Sequence, residues 1–159
     1  MHEDAQVGYI RRATIEDLQT IVTSLGDFWG DRDTAGLHQA LYVHEFGETS
    51  LVIHDEHGHP IAYLLGFVTP ARVGYIHVVA VHADHRRAGF ARELYEEFES
   101  LARARGANAL KAITSPGNSR SLEFHRALGF SASEVAGYSV SGEPRVVFRR
   151  ELTQRPAPA

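Results

Sequence analysis

The residues of this 159-residue chain best suited to chemistry lie between Arg86 and Arg92. Arg86, Arg87 and Arg92 surround Ala88, Gly89, Phe90 and Ala91. Small residues let a ligand approach the backbone, and the arginines supply positive charge. Where a helix starts in such a loop, its first amides have no intrahelical acceptor and point outward. The combination reads either as a site for an anion, in the first place a phosphate or pyrophosphate, or as an ordinary strand-to-helix turn with solvated arginines. His82 and His85 flank it. A second concentration is aromatic: Phe28, Trp29, His38, Tyr42, His44 and Phe46. These residues either cover a sheet or line an acceptor pocket, and composition alone does not choose. His54, His57 and His59 straddle an Asp/Gly turn with no cysteine beside them and match no standard zinc spacing. They read as a hairpin tip, and no metal is expected. His2 and His38 carry no signal of their own.

The anion loop has to be held by its neighbours. Before it, Gly74–Val81 carries Ile76, Val78, Val79 and Val81 with no breaker, which predicts a buried strand. After it, Phe90, Leu94, Phe98, Leu101 and Ala102 recur at helical spacing, with glutamates early, Arg103 and Arg105 late and Gly106 as the stop. A strand follows at Ala109–Thr114, and a strand–helix–strand passage of this length implies a right-handed crossover with parallel pairing. Asn118 is placed to cap a helix over Ser119–Leu128, which Gly129 ends. Strands at Ser131–Val135 and Arg145–Arg150 close the sheet.

Upstream, Val7–Arg12 reads as a first strand. Thr14–Asp17 resembles a capping start for a helix with Leu18, Ile21, Val22 and Leu25 on one face and Gly26 as its stop. Asp27–Asp33 reads as a loop. Thr34–Phe46 reads as a second helix with Leu37, Leu41 and Val43 inward. Thr49–His54 and Pro60–Thr69 are strands around the histidine-bearing turn.

Composition limits the classes open to the chain. Its length suits one domain over residues 1–152, with a disordered tail over 153–159. A net charge of −4 and a pI of about 6.2 argue against a nucleic-acid binder working by bulk electrostatics. With no cysteine there are no disulfides, thiolate metal sites or cysteine nucleophiles. The acidic N-terminus does not resemble a signal peptide, and no apolar run is long enough to cross a bilayer. The expectation is a cytoplasmic protein without nucleic-acid or membrane partners.

Arg86-Arg87-Ala88-Gly89-Phe90-Ala91 resembles the R/Q-x-x-G-x-G/A signature of the GNAT superfamily of N-acetyltransferases, following Val79-Ala80-Val81 at that family's spacing. Asn118, leading through His125 to Leu128-Gly129-Phe130, resembles the family's second landmark. Tyr9–Leu18 is similar to its first strand and helix start. The resemblance runs from about Val7 to Leu152. It implies an α/β (α+β) GNAT fold: a mixed, mostly antiparallel sheet of about six or seven strands with a splayed central parallel pair, flanked by about four helices.

The resemblance also implies acetyl-CoA as cosubstrate, lying in the splay. Its pantetheine arm would pair with the backbone of Val79, Ala80 and Val81, and its pyrophosphate would lie on the amides from Arg87 to Arg92. A backbone donor near Val79 or Ala80 would meet the carbonyl oxygen. Asn118 and His125 complete the implied cofactor contacts. Direct transfer to an amine requires that the amine lose a proton, since an alkylamine with a pKa of about 10 is mostly ammonium at neutral pH. The leaving thiolate benefits from a proton donor. Family members commonly place a tyrosine there, and this chain has His125, which also resembles the phosphinothricin-type branch that acetylates small amino-acid-like amines. For the base, His77 shares a strand face with Tyr75, Val79 and Val81. Glu45, Glu48 or a water relay are alternatives, because Ile113 stands where many members carry glutamate. Trp29, Tyr42 and Glu45 are the expected acceptor-binding residues. The leading expectation is therefore an N-acetyltransferase for a small primary amine. Acetylation of a protein N-terminus or lysine, and a silent acyl-CoA sensor, are the alternatives. A homodimer is implied by resemblance only.

Overall fold

In the first third of the chain, side chains that occupy backbone carbonyls decide where the helices end. The computed structural model describes residues 8–153. Helix α1, Ile15–Thr23, starts at a reciprocal capping box: Asp17 N donates to Thr14 Oγ1 and Thr14 N donates to Asp17 Oδ2. It ends before the expected stop at Gly26. The hydroxyls of Thr23 and Ser24 both donate to the Thr20 carbonyl, at 2.7 and 3.1 Å, and the Ser24 amide turns to Ile21 instead. A second short helix, α2, Leu25–Trp29, then runs through Gly26 and stops at Gly30, whose φ is 63°.

The single helix expected over Thr34–Phe46 is broken. Ala35–Leu37 forms a 3-10 turn, Leu41–His44 a one-turn helix α3, and Gly47–Thr49 another 3-10 turn. The cause is His38. In an α-helix its amide would donate to the Thr34 carbonyl, but the His38 imidazole takes that oxygen, Nδ1 to O 2.8 Å. The amide goes to Ala35 instead. Leu37 and Leu41, expected inward, are both 39% exposed. At the far end the Ser50 hydroxyl takes the Tyr42 carbonyl.

The chain divides into two compact units. One comprises the described residues up to Phe67 together with Ile76–Leu101. Strands β1 (Ile10–Arg12), β2 (Leu51–His54), β3 (Pro60–Val68) and β4 (Val73–Val81), which belong to it apart from Val68 and Val73–Tyr75, lie in that order, with β1–β2 and β2–β3 antiparallel (Ile10 opposite Ile53, Leu51 opposite Leu64). β3 is buried continuously from Pro60 to Gly66, as a strand covered on both faces must be. β4 alternates, with Gly74, Ile76, Val78 and Ala80 buried and Val73, Tyr75, His77, Val79 and Val81 half-exposed. Leu18, Ile21, Phe28, Tyr42, Val52, Tyr63, Leu65 and Val78 form its core. Helix α4 is Phe90–Ala104, with Leu94, Phe98 and Ala102 fully buried.

The other unit holds Val68–Tyr75 and the described residues from Ala102 onward. Its strands β5 (Ala109–Thr114), β6 (Ser131–Val135) and β7 (Arg145–Glu151) run in the order β5-β7-β6, all antiparallel, and helix α5 is Ser119–Ala127. Arg72 has a φ of 64° in the turn that precedes β4, and its Nε donates to the Gly106 carbonyl at 2.9 Å. Seven mostly antiparallel strands and five α-helices among the described residues match the mixed α/β fold expected. The fifth helix arises from the break at Ser24. The proposed start of the first strand at Val7 and the tail beyond Thr153 lie outside the described residues. Among the described residues no helix is long and apolar enough to cross a membrane.

Candidate active site

The loop between β4 and α4 is built as an amide cradle. His82 opens it: its Nδ1 accepts the Asp84 amide at 3.1 Å, starting the 3-10 turn Ala83–His85. Arg87 and Gly89 then adopt positive φ values of 68° and 83°. These reversals turn successive amides outward. Among the described residues no carbonyl accepts from the amides of Arg87, Ala88, Gly89, Phe90, Ala91 or Arg92; the Glu93 amide is the first taken, by Gly89 O. Nothing lies within 4 Å of where a Gly89 side chain would begin. Open space, outward donors and positive charge suit an anionic diphosphate.

The three arginines divide their work. Arg86 is tied down, its Nη2 donating to the Phe28 carbonyl at 3.0 Å and its Nε to the Val81 carbonyl at 3.4 Å. Arg87 and Arg92 are exposed. Val79 and Val81 lie on the half-exposed face of β4, while Ala80 is buried.

On that same face His77 lies flat on Tyr42, ring centroids 4.4 Å apart and planes 12° from parallel. Its Nε2 donates to the Leu37 carbonyl at 2.9 Å, so the neutral ring carries its lone pair on Nδ1. Burial lowers the His77 pKa below the ordinary histidine value, against the pull of the Leu37 carbonyl, and nearby His38 lowers it further. Tyr42 is 9% exposed and packs near Phe46 and Phe67. Trp29, at the end of α2, donates its indole N–H to Tyr63 Oη at 2.7 Å and carries Arg32 over its ring. Glu45 is exposed at the C-terminal end of α3. The structure thus brings His77 and Tyr42 together, while Trp29 bonds to Tyr63, which in turn meets His38.

Tyr63 is the member of this cluster that the sequence did not signal, and His38 was signalled only as one of the aromatic group. His38 Nε2 lies 2.7 Å from Tyr63 Oη. With Nδ1–H given to Thr34 O, Nε2 accepts from the phenol, while the phenol oxygen accepts from Trp29. Burial lowers the His38 pKa, opposed by the Thr34 bond, and burial raises that of Tyr63 well above the ordinary phenol. Tyr63 lies on β3 and His38 just after a 3-10 turn, so no local pattern links them.

In the second unit, Asn118 caps α5: its Oδ1 accepts the Ser121 amide and its Nδ2 donates to Thr114 Oγ1, both at 3.1 Å. His125 is 4% exposed, stacked on Phe148 and edge-on to Phe124 and Phe130. Its Nδ1 donates to the Ser121 carbonyl at 2.7 Å. Burial lowers its pKa, so the neutral ring with its lone pair on Nε2 is favoured. At the end of β2, His54 is paired with Asp17 at 2.7 Å, and in the turn that follows Asp55 accepts the amides of His57 and His59.

Fold and cradle together define a class. Residues 14–130 match the family described as Acetyltransferase (GNAT) family, and the chain belongs to it. An L-2,4-diaminobutyric acid acetyltransferase from Streptomyces coelicolor is 34% identical over 84 residues, 51% of this chain and 49% of that protein. The chain thus matches about half the length of this curated relative. Among solved structures, a chain of the NatC complex bound to Gag peptide and CoA superposes with a TM-score of 0.75 at 17% identity, covering 91% of this chain and 98% of that one. The diaminobutyrate acetyltransferase of Paenibacillus lautus, in complex with L-2,4-diaminobutyric acid and coenzyme A, gives 0.67 at 20% identity, covering 88% and 93%. At these identities the two structures establish the fold.

Proposed function

We propose that this chain is an acetyl-CoA-dependent N-acetyltransferase whose acceptor is a small primary amine. The observation that carries the reading is the cradle of unaccepted amides at Arg87–Arg92 with open space over Gly89. These amides, with Arg87 and Arg92, would hold the pyrophosphate, and the backbone of Val79–Val81 the pantetheine arm. Acetyl-CoA supplies the acyl group as a thioester: a C–N bond to the amine forms, the C–S bond breaks, and the thiolate gains a proton.

His77 is the base in this reading. Its Nδ1 lone pair lies on the half-exposed face of β4 and would take the proton that the ammonium group must lose. Its lowered pKa keeps the ring neutral, and so able to accept, at neutral pH. His125 would act near the sulfur, as a proton donor when charged. Tyr42 and Trp29 would border the acceptor, and Glu45 would attract its positive charge. The similarity to a diaminobutyric acid acetyltransferase supports a small acceptor over a protein N-terminus, and an amino acid with a second amine is the first class to test. A homodimer is part of the proposal.

Calorimetry with acetyl-CoA tests the reading. Micromolar binding by the wild type, abolished in Gly89→Trp, supports it and leads to an amine screen that follows free CoA. A folded wild type that binds no acetyl-CoA overturns it. Binding without turnover over a broad amine panel would make the chain an acyl-CoA sensor.

A further inference from the structure

His38 occupies a place that ordinary core packing does not explain. A buried histidine needs its two ring nitrogens satisfied, and one hydroxyl and one carbonyl do that. Here the carbonyl belongs to Thr34, at the head of the turn whose last residue is Leu37, and the Leu37 carbonyl is the acceptor of His77 Nε2–H. The hydroxyl belongs to Tyr63, fully buried on β3 and held from its other side by Trp29. A continuous chain of hydrogen bonds and backbone therefore runs from Trp29 through Tyr63 and His38, across the turn Ala35–Leu37, to His77. The turn's own bonds are all short-range: the Leu37 amide to Thr34 O at 3.0 Å, the His38 amide to Ala35 O at 3.1 Å and Gln39 Nε2 to Gly36 O at 3.5 Å. Gly36 lies inside it, Leu37 is exposed, and the Thr34 hydroxyl is buried without a hydrogen-bond partner among the described residues. A three-residue turn without an apolar anchor drifts unless side-chain bonds fix it.

We propose that His38 is a positioning residue: by clamping the turn Ala35–Leu37 between Thr34 and Tyr63, it aims the Leu37 carbonyl at His77 and selects the His77 tautomer whose lone pair is on Nδ1. The tautomer matters because the other one puts a proton where the base must accept one. Tyr42, stacked on the His77 ring, fixes its plane, and the Leu37 carbonyl fixes which nitrogen is protonated. The consequence for catalysis rests on His77 acting as the base, whereas the structural claim about the tautomer does not.

Long-range proton–nitrogen correlation spectra of the full chain read the His77 tautomer directly. The wild type should show His77 protonated on Nε2 at pH 7.5. Folded His38→Phe, which keeps an aromatic ring but loses both hydrogen bonds, should show an averaged tautomer. Its kcat should fall at least tenfold while its KM for acetyl-CoA changes less than twofold. His38→Gln, whose amide can give N–H to Thr34 and accept from Tyr63, should recover much of both. If His38→Phe does not fold, Tyr63→Phe takes its place, with the same averaging expected. An unchanged Nε2–H tautomer in either folded variant overturns the proposal. A wild type without turnover would count against the acetyltransferase reading alone, because the spectra would still report the clamp.

Discussion

The imidazole of His125 lies on the ring of Phe148 with centroids 3.9 Å apart and planes 4° from parallel. An imidazole in that slot can be exchanged for a benzene ring with little loss of packing, because Phe124, Phe130 and Phe148 line it, though the bond to the Ser121 carbonyl is lost. His125→Phe should therefore keep the fold and acetyl-CoA affinity. If His125 acts at the sulfur, kcat falls by roughly a hundredfold, a usual loss for a proton-transfer group. Thermal melting and steady-state kinetics check the two halves. An unchanged kcat assigns His125 to the core.

Arg86 and Arg87 are adjacent but should fail differently. Arg86→Ala removes two bonds to backbone carbonyls, Phe28 and Val81, and should cost about 1–2 kcal/mol of stability. Arg87→Ala removes charge from the exposed rim, so stability should hold while the Kd for CoA rises about three- to tenfold, less at high salt. Urea denaturation and salt-dependent calorimetry separate the two effects.

Gly26 offers a test of the helix break. The structure puts it inside α2, with nothing within 4 Å of a side chain and no left-handed φ. Gly26→Ala should raise stability by about 0.4–1 kcal/mol, as a compatible glycine replacement does. Were Gly26 a left-handed helix stop, the same change would lower it. Equilibrium denaturation gives the sign.

Acid should destabilise this protein early. Burial holds His38, His77 and His125 below the ordinary histidine value of about 6.5, against a backbone bond in each case. The unfolded chain then binds protons before the folded one as pH falls. The contribution of these groups is complete above about pH 6.5 and is lost as pH drops from there toward their folded values. Melting between pH 7.5 and 5.0 should show Tm falling with acid, less steeply in His125→Phe. A Tm that is level down to pH 5.0 would contradict neutral burial.

Asp17 links two elements. One carboxylate oxygen completes the α1 capping box and the other meets His54 Nε2 on β2. Asp17→Ala should cost about 1–2 kcal/mol, most of it the lost cap. Asp17→Asn, which keeps an acceptor for the Thr14 amide, should cost less. Denaturation curves for the pair measure the difference.

Those elements whose causes are local were legible in the chain alone. β5 and β6 fall on Ala109–Thr114 and Ser131–Val135 as expected, α4 starts at Phe90, and Asn118 caps α5, because β-branched runs, helical periodicity and caps act within a few residues. The small residue at Gly89 and the charge of the loop were legible too, whereas the positive φ at Arg87, a residue with a side chain, was not. The breaks at Ser24 and His38 were not. Each comes from a side chain competing for one carbonyl, Thr20 or Thr34, and at His38 the second bond goes to Tyr63, distant in sequence. Periodicity counts apolar faces and is blind to such competition. Identity as a GNAT chain was therefore written in the sequence. Which histidine is aimed, by which carbonyl and in which tautomer, was decided only when β3, β4 and the turn Ala35–Leu37 came together.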